Sequence, residues 1–370
     1  MTSRHATLED LVSLLQAQHT QKIDLPVEAS QMRAVNTQLE LRNTPPIISA
    51  AGVTPSAGTY RPTGVFDQGL ADKLGIPPAY LRKMREEKPR LYDANVNGWL
   101  EDDPRRFLVR CLGDGSSPGV ARALLSDSYK IIDNLDVLTA TLSGIREAGV
   151  ETVFDGCDLT ERRMYVRVVC EQVAVAAPEL LRNYRSPFTG ASGADNPVVF
   201  AGFVITNSET GCGAFTITPR LVVQVCRNGM TINADAERRV HLGARLEDSA
   251  VRWSEETQRR NLELITSRTR DVVTSFLDGD YVRAKLDQMA GAARTEIRHP
   301  DRTIQVVAKQ LNFTPEQQQM ILNHFIKGAD PTAGGLMHAV TSAAQTLPDG
   351  DDAHELERQA LKAMQLAAGA

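Results

Sequence analysis

The chain has 370 residues, of which 42% are apolar and 24% charged, and its formal net charge is −5. These are the proportions of a folded globular protein, so disorder over most of the length is excluded. The acidic balance also excludes a generally basic nucleic-acid coat, while leaving room for a local basic groove.

Arg outnumbers Lys by 32 to 9. Arg suits phosphate forks and base stacking better than Lys. The excess is spread along the chain, as codon bias in a GC-rich genome would also leave it. Cys111, Cys157, Cys170, Cys212 and Cys226 form no CxxC pair and are odd in number. With no export signal expected ahead of them, they read as reduced thiols in a cytoplasm. No apolar run approaches the roughly 20 residues needed to cross a bilayer.

In chain order, residues 1–20 predict a short amphipathic helix with Leu8, Leu11, Val12, Leu14 and Leu15 on its apolar face. Residues 43–64, rich in Pro, Gly, Ser and Thr, predict a linker or hairpin edge. Two helices follow, over 67–74 and 77–87, separated by Gly75 in the cadence of a helix-turn-helix. Residues 105–134 predict a strand, a Gly-rich loop and a second strand. Residues 135–149 predict a helix, with Leu135, Leu138, Leu142 and Ile145 on one face and Gly149 as its stop. Strands are expected near 150–159 and 163–173, then a mobile loop over Arg185 to Pro197.

The next stretch predicts an antiparallel hairpin. Phe203 and Ile205 lie on one arm, Phe215 and Ile217 on the other, with "NSETGCG" between them. "TPRLVVQVCRNG" favours a short helix by its Thr-Pro start and Asn-Gly end, although its valines suit a strand equally. From Trp253 the pattern turns helical. "TPEQ" at Thr314 to Gln317 is a capping box with proline at its first position. A last helix is expected from His354 to Leu366. The fold class is therefore α+β, with an antiparallel sheet core, a helical N-terminal segment and a helical C-terminal tail. The expected division is 1–62 (helix and linker), 63–285 (α+β core) and 286–370 (helical region).

Chemistry-bearing patterns are sparse. The helix from Pro77 begins Pro-Pro-Ala-Tyr, poor in base-reading groups, and its basic residues Arg82, Lys83, Arg85, Lys88 and Arg90 carry no sequence information on phosphate alone. "GDGSSPG" at 113–119 lacks the Lys-Ser/Thr of a nucleotide-binding loop. Cys212, Cys226 and His241 are spaced too irregularly for a zinc module, and no metal or cofactor is expected. A polar cluster remains: Asn207, Ser208, Glu209, Thr210 and Gly211, with Arg227 and Asn228. Turn chemistry is the favoured reading, since turns use the same residue types; the functional reading is a rim of donors around a phosphate or base with Arg227 as the fork.

Seven stretches together, "LADKLGIPPAYLRKM", "NVNGWL", "ARALLSDSYKIIDNLDVL", "GFVITNSETGCGAF", "VCRNGM", "HLGARLEDSAVRWSEET" and "MHAVTSAAQTL", resemble the phage- and plasmid-borne family called domain of unknown function 932. The resemblance runs from about Thr63 to Leu347. It implies a cytoplasmic protein of a mobile genetic element and brings no catalytic set with it. Asn207, Ser208, Glu209, Gly211, Arg227 and Asn228 mark where its pattern is densest.

Two functions from different classes follow. One is a nucleic-acid-handling accessory that binds or anneals single-stranded DNA, with a homo-oligomer compatible with that role and no membrane partner expected. The other is an enzyme with its site around Glu209, Cys212 and Arg227. The segment Arg220 to Arg270 holds ten Arg and seven acidic residues, a surplus of +3. It makes Arg227 the first choice for a phosphate contact. A binder concentrates Arg in one groove, whereas an enzyme buries a few ionisable groups in a closed pocket.

Overall fold

The computed structural model describes residues 2–49, 52–113, 118–129, 132–227, 229–239 and 254–369. Strand β1 (Ser3–Ala6) leads into helix α1 (Leu8–Gln21). The Thr7 hydroxyl accepts from the Asp10 amide while the Asp10 carboxylate accepts from the Thr7 amide, a reciprocal cap that starts α1 at Leu8. Leu11 and Leu15 form its buried face.

The next stretch is richer in strand than the linker expected there. It contains β2 (Lys22–Glu28), β3 (Met32–Val35), β4 (Gln38–Leu41), β5 (Ile47–Ser49), β6 (Gly52–Thr54) and β7 (Gly58–Pro62). The reason is visible in "KIDLPVE": Ile23, Leu25 and Val27 alternate with polar or exposed neighbours, so one face of β2 is buried. Three helices follow: α2 (Gly64–Leu74), α3 (Pro78–Glu87) and α4 (Pro89–Glu101). Gly75 takes φ +68 and closes α2 in the left-handed region, where a Cβ is disfavoured. Strands β8 (Arg106–Leu112) and β9 (Gly119–Ser126) complete a six-stranded sheet of order β2-β8-β9-β7-β4-β3, in which only β7 and β9 run parallel. The helix-turn-helix cadence is therefore a helical cover for this sheet. Phe66, Leu70, Leu81, Met84 and Val96 share a core with Ile23, Leu39 and Val109. That core joins residues from both sides of position 62. Residues 114–117 of the Gly-rich loop lie outside the described residues, and the flanking strands pair antiparallel, as Leu112 with Val120.

Helix α5 (Asn134–Ala148) ends at Gly149, again left-handed at φ +68. The second sheet is built from β10 (Val153–Leu159), β11 (Met164–Ala176), β12 (Val198–Asn207), β13 (Phe215–Val223), β14 (Gly229–Thr231) and β15 (Glu237–Arg239), with the short helix α6 (Pro178–Leu181) between β11 and β12. Its order is β1-β10-β11-β12-β13-β14, with β15 also on β13, and every pair is antiparallel. The expected hairpin is present: Ile205 faces Ile217, Phe203 faces Pro219, and Phe203, Ile205, Phe215 and Ile217 are buried.

The helix favoured over 218–229 is instead strand up to Val223. Leu221 and Val223 enter the main core on one face and Val222 a small cluster with Val169 and Phe200 on the other, so β-branched residues are buried on both sides. Pro219 is tolerated because it sits between the β15 pairing (to Ile217) and the β14 pairing (from Arg220), where no ladder N–H is required. Its carbonyl accepts from the Ile232 amide at 2.8 Å. The loop expected to be mobile, 185–197, is folded back on itself. The Ser186 amide donates to Ala191, Gly193 to Tyr184, and Arg185 to Gly328.

The tail is α7 (Glu255–Phe276), α8 (Gly279–Ala293), α9 (Pro300–Leu311), α10 (Pro315–Gly328), α11 (Ala333–Thr346) and α12 (Gly350–Ala368). Thr314 and Gln317 form the expected capping box on α10. Helix α11 is buried almost throughout, and α12 starts four residues earlier than expected because Asp349 caps it. The architecture is α+β. Among the described residues, no helix is long and apolar enough to cross a membrane.

Candidate functional site

The polar cluster at the β12–β13 turn divides into a buried joint and a groove wall. Asn207, Ser208, Glu209 and Thr210 are all buried, against the expectation of an open rim. The Asn207 amide donates to Ile132 and Asn134. The Ser208 hydroxyl accepts from the Cys212 amide at 2.8 Å, which is turn chemistry. Glu209 is held from three directions. One carboxylate oxygen pairs with Arg122 of β9, and the other accepts the Asn134 amide at 2.8 Å, at the N-terminus of α5. Its main-chain carbonyl accepts from Arg110 of β8.

Arg110 is 1% exposed and completes the joint. It donates to both carboxylate oxygens of Asp24, its cross-strand partner on β2, and to Asp133 at 2.7 Å. Lys22 reaches the other oxygen of Asp133 at 2.8 Å. Burial opposes ionisation of Asp133, but Arg110 and Lys22 outweigh it and hold the carboxyl down to about 2. This network ties the two sheets together. Its members other than Glu209 were not singled out from sequence, because they lie 23 to 111 positions from the residues they bind.

Arg227 does not join this cluster. It follows β13, whose Val223 pairs with Val199 near the start of β12. The ten residues of β12 put Arg227 about 30 Å from Asn207 at roughly 3.3 Å per residue. Arg227 sits after a turn rather than at a helix end, at φ +55, and binds Glu171 at 2.8 Å and Asp155 at 3.4 Å. Asn228 lies outside the described residues. The trio Glu209, Cys212 and Arg227 therefore does not converge. Burial pushes the Cys212 thiol up, despite the nearby Arg162, which disfavours a nucleophilic thiolate. The wider Arg surplus is mostly paired as well. Arg220 binds Glu357 and Asp155, Arg259 and Arg260 bind Glu256, and Arg268 binds Glu237.

The basic surface lies elsewhere. The Thr210 hydroxyl donates to the carbonyls of Glu161 and Arg162, and Arg163 donates to the Cys212 carbonyl. These bonds lash the β10–β11 turn to the β12–β13 turn and present Arg162 outward. A cleft of about 770 Å³ runs between these turns, α2 and the end of β9, with Gly211, Cys212, Arg162, Lys73 and Arg238 on its walls. At Gly211, φ is +83 and a Cβ would come within 2.6 Å of the Leu125 side chain, so glycine lets the turn close against β9. The cleft continues past Arg162 into a second space of about 550 Å³, reached by Arg82 of α3. In the other direction it opens past Arg238 into a chamber of about 350 Å³. Arg82, Arg162 and Arg238 are exposed, and none makes an ion pair among the described residues. Lys83, exposed on α3, has only Glu87 at 4.0 Å. Of the sequence-selected residues, Arg82 and Gly211 thus meet on one cleft, Asn207, Ser208 and Glu209 form the joint behind it, and Arg227 stands apart. The chain matches no protein-family profile, no curated protein and no solved structure.

Proposed function

We propose that the arginine-lined cleft holds single-stranded nucleic acid by its phosphates. The chain would then be a strand-binding or annealing accessory of a phage or plasmid, working in the cytoplasm and related to the domain-of-unknown-function-932 family that its motifs resemble. The observation that carries this is the placement of Arg82, Arg162 and Arg238 along one connected cleft with no carboxylate partner among the described residues. Exposed, unpaired guanidinium groups at intervals along a groove are what a phosphate backbone requires.

Two further features of the cleft fit. Its only aromatic wall residue among the described ones, Tyr129, is buried, so contact is to phosphate and base identity matters little. The acidic wall residues Asp72, Glu161, Asp349 and Asp351 are each engaged, by Gln68 at 2.9 Å, the Gly64 amide at 3.2 Å, the Asp351 and Asp352 amides, and Tyr165 at 2.6 Å respectively. Self-association along a bound strand belongs to the same proposal.

The test is a gel shift with single- and double-stranded DNA of one sequence at two salt concentrations. Single strands should bind more tightly and weaken steeply with salt. Absence of any shift at low salt would reject the proposal.

A further inference from the structure

The chamber beyond Arg238 differs from the rest of the cleft in the charge of its wall. It lies between β11–β13 and α12, and Arg163, Arg238 and Arg358 line it with no carboxylate among its lining residues. The floor is polar although it is sheet: Thr206 and Thr216, cross-strand partners, bond to each other at 2.7 Å, and Tyr165 stands beside them. His354 of α12 closes the far side. Its ring packs on Tyr165 with centroids 4.6 Å apart, it is 6% exposed, and its Nδ1 is buried with no partner among the described residues. Buried polar atoms in folded proteins almost always have a partner, so an orphan on a residue that lines a cavity marks a place where something else can supply it.

The nearby carboxylates each have a partner. Glu357 binds Arg220 at 2.8 Å, Asp351 accepts from Tyr165 at 2.6 Å, and Glu355 binds Arg358 at 3.2 Å. Arg358 also donates to Asn233, and Arg163 to the Cys212 carbonyl, so both guanidinium groups are held in place at the chamber wall. Burial first, then the charges of Arg167, Arg358, Arg163 and Arg220, hold the His354 imidazole neutral.

We propose that this chamber is a binding site for a phosphate monoester, with Arg238 and Arg358 as its principal ligands and His354 as a hydrogen-bonding partner. Arg163 and Arg238 have no carboxylate partner among the described residues, and Arg358 adds a third guanidinium paired only at the surface with the exposed Glu355, a set that suits a dianionic phosphate better than a singly charged diester; about 350 Å³ is within the range of small-ligand sites. The monoester has two possible sources: a free mononucleotide, or the phosphorylated end of a strand lying in the adjoining cleft. The site's existence does not depend on the strand-binding proposal.

Calorimetry on the full chain tests it, with thymidine 5′-monophosphate, thymidine and inorganic phosphate as probes. A 5′-phosphorylated oligodeoxynucleotide and its unphosphorylated twin form the second arm. The monophosphate should bind and thymidine should not. Arg238→Ala and Arg358→Ala, both at exposed side chains, should each weaken it about tenfold, the effect of one charge-assisted hydrogen bond. Arg227→Ala, remote from the chamber, should leave it unchanged. A preference for the phosphorylated oligonucleotide, lost in the same variants, identifies the strand end as the source. Mononucleotide binding without oligonucleotide binding supports the chamber and rejects the strand proposal. No binding of any phosphate probe at millimolar concentration, or binding indifferent to both variants, overturns the site.

Discussion

Arg110, on the central strand β8 of one sheet, donates to the main-chain carbonyl of Glu209, at the end of β12 in the other. The Glu209 carboxylate returns to the first sheet through Arg122. The two residues thus form a reciprocal clasp between sheets, and the groove turn is built directly on it.

Glu209→Ala should therefore destabilise the fold rather than remove a chemical step. It strands Arg122, 12% exposed, and the buried Asn134 amide. Loss of one partner of a buried pair costs about 3–5 kcal/mol. Urea unfolding of the variant measures this. A change below about 0.5 kcal/mol, as for an unremarkable surface site, would contradict the clasp.

Acid should loosen the same region. Asp133 is held down to about 2 by Arg110 and Lys22 against the opposing effect of burial, and Asp158 likewise by Arg167 and Arg4. Their folded pKa values lie below the unfolded value, so their contribution is full above about pH 4 and is lost as pH falls toward 2. The midpoint temperature should drop across that window. In Asp158→Asn the baseline should be lower and this acid-dependent part smaller. A wild-type midpoint flat from pH 4 to 2 would contradict these ion pairs.

The tail helix α10 offers a local check. The Thr314 hydroxyl accepts the Gln317 amide at 3.2 Å, and the Gln317 side chain accepts the Thr314 amide at 2.9 Å. Thr314→Ala should cost about 1 kcal/mol in chemical denaturation, and Thr314→Ser close to nothing. Equal loss in both variants would mean the cap does not act through its hydroxyl.

All five cysteines are free, and all but Cys212 are buried. Thiol titration of denatured protein should find close to five, and of native protein at most one reacting readily. A denatured count near three would contradict the free-thiol state.

These elements also show what sequence patterns can and cannot carry. The Phe203/Ile205 and Phe215/Ile217 alternation and the Thr314/Gln317 box are local signals, with cause and effect a few residues apart, and both are present in the structure. The Thr-Pro start of residues 218–229 is an equally local helix signal, but burial of Leu221, Val222 and Val223 on both faces of a sheet overrides it. The partners of Glu209 are Arg110, Arg122 and Asn134, each more than 70 positions away, so no spacing rule reaches them. Arg227 was the natural phosphate contact by its turn, yet Asp155 and Glu171 from neighbouring strands neutralise it. Arg162 and Arg238 carry no local signal, because only the lashing of two turns and the pairing of β15 with β13 bring them to one cleft.

The central claim is that exposed arginines of the cleft contact phosphate. The most direct measurement is the salt dependence of single-strand binding, followed by fluorescence anisotropy for the wild type and for the Arg82→Ala/Arg162→Ala double variant. Each lost phosphate contact should reduce the slope of log affinity against log salt by about 0.7, so the double variant should fall short of the wild type by about 1.4, with Arg227→Ala indistinguishable from wild type. Parallel slopes for wild type and double variant, or no wild-type binding at about 50 mM salt, where such contacts are strongest, would contradict the account.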